Sequence, residues 1–407
     1  MQIAVIGAGP AGMVAAIEAA RNGADVVLYE KNKKVGKKLA TTGNGRCNYT
    51  NLVMDAEKYR GEDPQFAWKV ISSFDERETI AYFQKLGIEP KMRGGYVYPN
   101  SDQASSVVSA LLDELEHQKV MIRYESIVKE IRRENGKFLV MTQEGKRGFD
   151  RVILTAGSCA APATGSDGSG YRMAEKLGLR KIWAVPALTA IRCSGTQYKD
   201  MAGVRADAQL TLKSGKTVLA EERGELQLTD YGISGIPVFQ ISRFAAYALE
   251  RKEIVAVYIS FFPGKSREEI LRLLEQRKEQ LFYKPAGKFL QGLLNQKLGD
   301  AFLKLCNIDA AMPVAELTTK NLKALSGMLT EYKAEAVSVN PFAQAQCAAG
   351  GIATGELNPE TMEAWSVPGL YLAGEILDVD GICGGYNLQW AWSSGILAGR
   401  SASIKQQ

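Results

Sequence analysis

The 407-residue chain holds a single histidine, His117. That scarcity removes Ser-His-Asp catalysis, HExxH metalloproteases and His-rich metal sites together. His117 lies in LLDELEHQKV, at the end of an expected helix, where a solvated terminal residue is the plain reading. No two of the six cysteines (Cys47, Cys159, Cys193, Cys306, Cys347, Cys383) are spaced C-x-x-C, which argues against a zinc ribbon or a thioredoxin-type pair. Scattered as they are, they do not read as a disulfide framework, and a reducing, cytoplasmic setting is expected. No uncharged apolar run reaches about 18 residues, so no membrane span is expected. MQIAVI enters structure at once, without the pattern of a signal peptide. Charge of either sign is not in excess. The 50 Lys and Arg against 45 Asp and Glu, a net of +5, give no reason to invoke nucleic acid. The expected partner is a small-molecule substrate; no metal is expected, and the oligomeric state stays open.

Glycine is plentiful, 40 residues, and much of it sits in short clusters, as where backbone approaches a ligand. Hydrophobic residues at 46% and charged residues at 23% give an ordinary globular balance, and the length suits two or three domains. Residues 2–6, a glycine turn, a small-residue helix to about Asn22 and a strand at 25–29 open a doubly wound parallel sheet. Helical patterns follow near 63–87 and 103–118. MIRY, IVKEIRR and KFLVMT alternate like an antiparallel meander with an Asn-Gly turn at 135–136, and RVILTAG (151–157) reads as a strand returning to the parallel sheet. From about residue 188 the texture turns β-rich, with a Ser-Gly turn at 214–215. Helical spacing governs 265–325, EYKAEAVSV (331–339) is strand-like, and glycine returns after 341, ahead of a final helix to about Ser403. The simplest organisation is an α/β nucleotide-binding domain, 1–187 with 342–407, split by insertion. The insert holds a β module, 188–262 with 327–341, and a small helical module, 263–326.

Gly7-Ala8-Gly9-Pro10-Ala11-Gly12 fits G-x-G-x-x-G between a strand and a helix, and a second strand ends in Tyr29-Glu30. Gly7 permits the tight turn, Gly9 lets backbone approach a pyrophosphate, and Gly12 lets helix and strand close. The Glu30 carboxylate would accept from ribose hydroxyls and repel a 2′-phosphate. FAD explains the layout better than NAD. The fingerprint sits at one end of the chain, a second glycine cluster sits near the other, and no second G-x-G-x-x-G occurs. The C-terminal segment runs strand, Gly374-Glu375, a glycine turn (381–385), then helix. In many FAD enzymes such an acid binds the ribitol chain, and the next helix, here starting at Gly385, Tyr386, Asn387 and Leu388, aims its N-terminus at the flavin.

VIGAGPAGMVAAIEAARNGADVVLYEKNKKVGKKLATTGNGRCNYTN, ERGELQLTDYGISGIPVF and GLYLAGEILDVDGICGGYNLQWAWSSG together resemble the HI0933-like flavoproteins, the aminoacetone oxidase family with its BaiN-type members. The resemblance spans the chain. It implies a split Rossmann-type FAD-binding domain, an inserted antiparallel β-barrel domain and a small helical domain. One departure is visible. Family members often carry Thr-His before G-I-S-G, where this chain has Thr229-Asp230-Tyr231, so a role for that histidine does not transfer.

Other residues are weighed against plainer roles. Lys31–Lys38 holds five lysines in eight residues. A solvated loop is the bland reading; Lys31 and Lys38 are the candidates for adenosine or phosphate contact, and RNA binding is a sharper alternative. Thr42, Gly43, Arg46, Cys47 and Asn48 lie where, in flavoproteins of the glutathione-reductase-like superfamily, the chain runs beside the flavin. Arg46 suits a pyrophosphate or flavin-oxygen contact. Cys47 has no partner for a dithiol mechanism, so flavin contact or packing is expected of it. Thr155, Ala156 and Gly157 end a strand in small residues that admit the cofactor. Val128 is an adenine-side backbone contact only by the resemblance. Tyr386 could face the flavin or donate to a substrate carbonyl, while Trp390 and Trp392 read as core. No catalytic acid or base is evident.

The expected activity is an FAD-dependent oxidoreductase. Flavin N5 would pass hydride to an unsaturated oxo-compound, a steroid- or bile-acid-like enone by the resemblance, with NAD(P)H as transient reductant. The alternatives are a flavin oxidase of small amines or aminoketones using O₂, and a flavin-bound nucleic-acid or regulatory binding protein.

Overall fold

The computed structural model describes residues 1–404. The chain forms two compact units: Met1–Val185 joined by the chain from Phe342, and Pro186–Pro341. The first is built on five parallel strands, in the order Leu370–Leu372, Arg151–Leu154, Gln2–Ile6, Asp25–Tyr29, Met121–Arg123. Ile3 to Ile6 are all buried, as a strand covered on both faces requires.

MIRY does not join the antiparallel meander, as its alternation suggested. Met121–Arg123 instead pairs parallel with Asp25–Tyr29. A parallel pair needs a long crossover, and helix Ala104–His117 lies on this one. The meander is Glu130–Glu134, Lys137–Thr142 and Gly145–Phe149. Its first turn places Asn135 and Gly136 at φ 49° and 77°, as a two-residue hairpin turn demands. His117 ends its helix exposed to solvent.

The two ends of the chain meet in this unit. The C-terminal helix Tyr386–Ser403 packs along the fingerprint helix Pro10–Arg21, with Gly395 and Gly399 lying on Ala11 and Ala15. Its last turn is capped by the buried Arg151, whose guanidinium donates to the carbonyls of Ser401 and Ala402 at 3.2 and 2.9 Å. A cation there also suits the negative end of the helix.

The second unit is a closed antiparallel barrel of six strands, in the order Ile191–Cys193, Gly232–Ser234, Thr217–Thr229, Arg205–Ser214, Val255–Ser260, Tyr332–Val339. A helix that the sequence pattern did not announce, Ile236–Glu250, packs against all six strands. Helices Arg267–Gln280, Gln296–Leu305 and Thr319–Thr330 follow, and their apolar faces share one core with the barrel. Of KFLQGLLNQKL, expected as helix, Lys288 closes a short 3-10 turn, residues 289–295 are irregular, and only the residues from Gln296 on are helical. No helix among the described residues is long and apolar enough to cross a membrane.

Candidate functional site

The three fingerprint glycines do three different jobs. At Gly7 (φ +104°) a Cβ would stand 2.7 Å from the Thr155 carbonyl oxygen, and at Gly12 it would stand 1.8 Å from that of Gly7. Both are closed by the protein itself. At Gly9 nothing lies within 4 Å of the added carbon, so the loop is open on the one side where a pyrophosphate is expected. Pro10 sits in the first turn of the helix, and the N-cap has no side-chain partner. The first turn therefore keeps free backbone donors for phosphate, including those of Ala11 and Gly12.

Glu30 is buried at the end of its strand. One carboxylate oxygen accepts from the Ala8 N–H at 3.1 Å; the other accepts from the Asn32 N–H and side-chain amide at 2.8 and 2.7 Å. The group is fixed beside the glycine loop without a cationic partner, and two carboxylate oxygens keep capacity for ribose hydroxyls. Asn32, which orients it, carries no motif and was missed from sequence; its position two residues after an acid is the only signal.

Four contacts draw together segments far apart in the chain. The Thr155 hydroxyl donates to the Gly7 carbonyl at 2.9 Å. Gly374 (φ +79°) meets the start of the fingerprint helix, where a Cβ would be 2.8 Å from that of Ala11. Lys38 and Glu375 form an ion pair at 2.5 Å. Gly385 (φ +96°) lies against Asn48 and the Thr50 carbonyl oxygen, the latter 2.7 Å from a built Cβ. The C-terminal helix also grips Gly374 directly: Trp390 Nε1 donates to its carbonyl and Ser394 Oγ accepts from its N–H, both at 3.0 Å. Gly157 (φ +72°) abuts Ser166, and Ala156 packs on Gly170.

Thr42 to Cys47 form a strained turn. Gly43, Asn44, Gly45 and Cys47 have φ of 57°, 55°, 80° and 60°. Left-handed non-glycine residues cost energy and cluster at functional sites. Cys47 is fully buried, and burial pushes its thiol up to about 12, so the group is a neutral thiol rather than a nucleophile. Arg46 is exposed, donating to the Gly43 carbonyl at 3.2 Å and lying over the Tyr98 ring.

At the C-terminal helix, Asn387 brackets Gly381 with two 2.9 Å bonds, and Leu388 is half-buried. The Tyr386 hydroxyl donates to the Val53 carbonyl at 2.8 Å, which commits its proton to the protein. The first intrahelical bond runs from Gln389 to Gly385, so the N–H groups of Tyr386, Asn387 and Leu388 form the open positive end of an 18-residue helix. Trp390 and Trp392 are core, as expected.

The lysine loop is largely engaged: Lys31 pairs with Asp167 at 2.8 Å, Lys37 donates to the Ala163 carbonyl, and Lys38 meets Glu375. Val128 is buried just after the segment in which Ser126 donates to the Glu30 carbonyl.

A glycine loop open at one point, a fixed strand-end glutamate and a C-terminal helix end in one unit define a Rossmann-type flavoprotein oxidoreductase. FAD fits the residues present: Gly9 and the free N–H groups of the fingerprint helix would hold its pyrophosphate, and Glu30 its ribose.

The chain belongs to the HI0933-like family, whose Rossmann-domain model matches residues 1–401. It is 44% identical over 405 residues to a 3-dehydro-bile acid Δ(4,6)-reductase of Clostridium scindens, covering 99% of both chains. It is 31% identical over 397 residues to a ribosomal RNA dihydrouridine synthase of Escherichia coli, covering 96% of this chain and 95% of that one. A protein of the same description from Haemophilus influenzae is 27% identical, with 98% of both chains covered.

Proposed function

We propose that this FAD-dependent oxidoreductase saturates a carbon–carbon double bond conjugated to a carbonyl, in a small steroid- or bile-acid-like oxo-compound, with NAD(P)H as reductant. The observation that carries this reading is the end-to-end 44% identity to a Δ(4,6)-reductase in a chain that also holds the FAD cradle. The dihydrouridine synthases point to related chemistry, since dihydrouridine is uridine with its ring double bond saturated beside a carbonyl. Lower identity to them, and a lysine loop bound to its own unit, favour the small molecule over RNA.

Bound and reduced, FAD would supply hydride to the electron-poor alkene carbon, and a proton from solvent would complete the saturation at the other alkene carbon. The chain's residues position it: Glu30 and the fingerprint N–H groups fix one end, Lys31 and Lys38 serve the adenosine and phosphates, and Glu375 and the helix starting at Tyr386 serve the other end. The N–H groups of Tyr386, Asn387 and Leu388 favour negative charge where the ring system is held. Thr42, Gly43, Arg46, Cys47 and Asn48 line the same cofactor, as do Thr155, Ala156 and Gly157, and Val128 serves its adenine side. G-x-G-x-x-G occurs once in the chain, so NAD(P)H is a visiting reductant.

An anaerobic stopped-flow experiment tests the reading. NADH or NADPH should bleach the bound flavin, and a 3-oxo-Δ(4,6) bile acid should restore its colour. Fast reoxidation by O₂ with peroxide release, and none by the enone, would instead establish an oxidase.

A further inference from the structure

We propose that Thr50 and Gln389 are a positioning pair that fixes the start of the C-terminal helix and so sets how readily bound flavin accepts electrons, which rests on the reading that the free N–H groups of Tyr386, Asn387 and Leu388 face the ring system of FAD. Gln389 lies in the first turn of helix Tyr386–Ser403, and Thr50 opens the short strand Thr50–Asn51 that follows the strained turn of Thr42 to Cys47. Both side chains, and that of Ser393, are fully buried. The Thr50 hydroxyl donates to Gln389 Oε1 at 2.6 Å, and Gln389 Nε2 donates to the Phe74 carbonyl and to Ser393 Oγ, both at 3.0 Å. A backbone carbonyl only accepts, so the amide NH₂ has to face Phe74 and the amide oxygen has to face Thr50.

The amide thereby ties three segments of one unit together: the strand, the bend at Phe74 between helices Pro64–Ser72 and Glu76–Lys85, and the helix start. Apolar packing is non-directional and tolerates a small slide of one element on another. A buried amide with every polar atom committed does not, because a slide leaves each partner buried and unsatisfied. Neighbouring bonds act along the same line. Asn51 Nδ2 donates to the Gly384 carbonyl at 2.9 Å, and the Tyr386 hydroxyl reaches the Val53 carbonyl, so residues 50–53 hold the helix start from Gly384 to Gln389. The body of the helix is anchored separately, where Gly395 and Gly399 lie on the fingerprint helix. The distinct work of Thr50 and Gln389 is therefore at the first turn, and the field of a helix end is confined to that turn.

Sulfite tests the pair on the FAD-loaded protein. It adds reversibly to oxidised flavin at N5, bleaches the visible band and leaves the ring anionic, so its affinity reports the positive field at the ring without any substrate. Thr50→Val keeps the shape of the side chain and removes the hydroxyl. Its sulfite dissociation constant should rise about five- to ten-fold, within what a partly buried helix end is worth, and its flavin midpoint potential should fall, with flavin content retained. Thr50→Ser should restore both. Ile396→Val, which trims a buried side chain farther along the same helix, should lower the melting temperature and leave sulfite affinity and potential at wild-type values. Gln389→Met removes both ends of the clamp and should exceed Thr50→Val; if it does not fold, Thr50→Val decides alone. Wild-type sulfite affinity and potential in Thr50→Val, loss of its flavin, or an equal change in Ile396→Val would each overturn the positioning role. A wild type that forms no sulfite adduct, with a potential no higher than that of free FAD, would overturn the reading of the helix end itself, and the pair with it.

Discussion

Gly399 of the C-terminal helix lies directly on the backbone of Ala15 in the fingerprint helix: a Cβ at Gly399 would stand 2.4 Å from the Ala15 carbonyl oxygen. One turn earlier Gly395 meets the carbonyl of Ala11 in the same way, at 2.5 Å. The two ends of the polypeptide are thus in backbone contact, and the turn that carries Ala11 is also the one that would hold phosphate. Packing between these helices therefore sets the geometry of the cofactor cradle.

Gly399→Val should force the helices apart, because the obstacle is backbone rather than a movable side chain. Overpacking of this kind costs about 1–3 kcal/mol. The melting temperature and the flavin content should fall together. Gly355→Ala is the control, since Gly355 is exposed and has open space at its Cβ position. A variant at Gly399 that melts and binds flavin like the wild type would remove the coupling between this seam and the cradle.

Glu30→Gln keeps the size of the side chain and removes its charge. The Ala8 and Asn32 donors lose a charged acceptor, worth about 1.5–3 kcal/mol per bond, and ribose hydroxyls lose theirs. The FAD dissociation constant, read by flavin fluorescence, should rise about ten- to hundred-fold. An unchanged constant would place the ribose elsewhere.

Burial holds the Cys47 and Cys193 thiols up at about 12 and Cys306 at about 11, against an ordinary value of 9.0. Below about pH 9 these groups are neutral in both folded and unfolded chains, and their contribution to stability is whole. As pH rises from about 9 toward 12 the unfolded chain ionises them first, and stability falls. Denaturant midpoints should therefore decline over that alkaline window, and Cys47→Ser should flatten part of the decline while leaving turnover at neutral pH largely intact. Loss of turnover in Cys47→Ser would make the thiol a participant in the chemistry.

Much of the cradle was legible in the chain, because its parts are local. The fingerprint, the strand-end Glu30 and the C-terminal glycine turn each declare themselves within a dozen residues. What stayed hidden depends on distance or context. Asn32 and Arg151 act through contacts no spacing encodes, and Thr50 and Gln389 meet across 339 residues of chain. Met121–Arg123 alternates like its neighbours, yet pairing with Asp25–Tyr29 decides its sheet. Helix Ile236–Glu250 was missed because apolar residues lie on all its sides, with Ile236, Phe239, Phe244 and Tyr247 outside the buried face, blunting the helical period; Pro237 in its first turn, after Gly235, was the available start signal.

The central claim is that the two ends of this chain jointly hold FAD. The most direct measurement is the visible spectrum of the purified protein, with the released flavin identified by chromatography. The purified protein should be yellow and should yield FAD in equal number with the chain. A colourless protein that stays colourless after incubation with FAD, or one that releases only FMN, would contradict it.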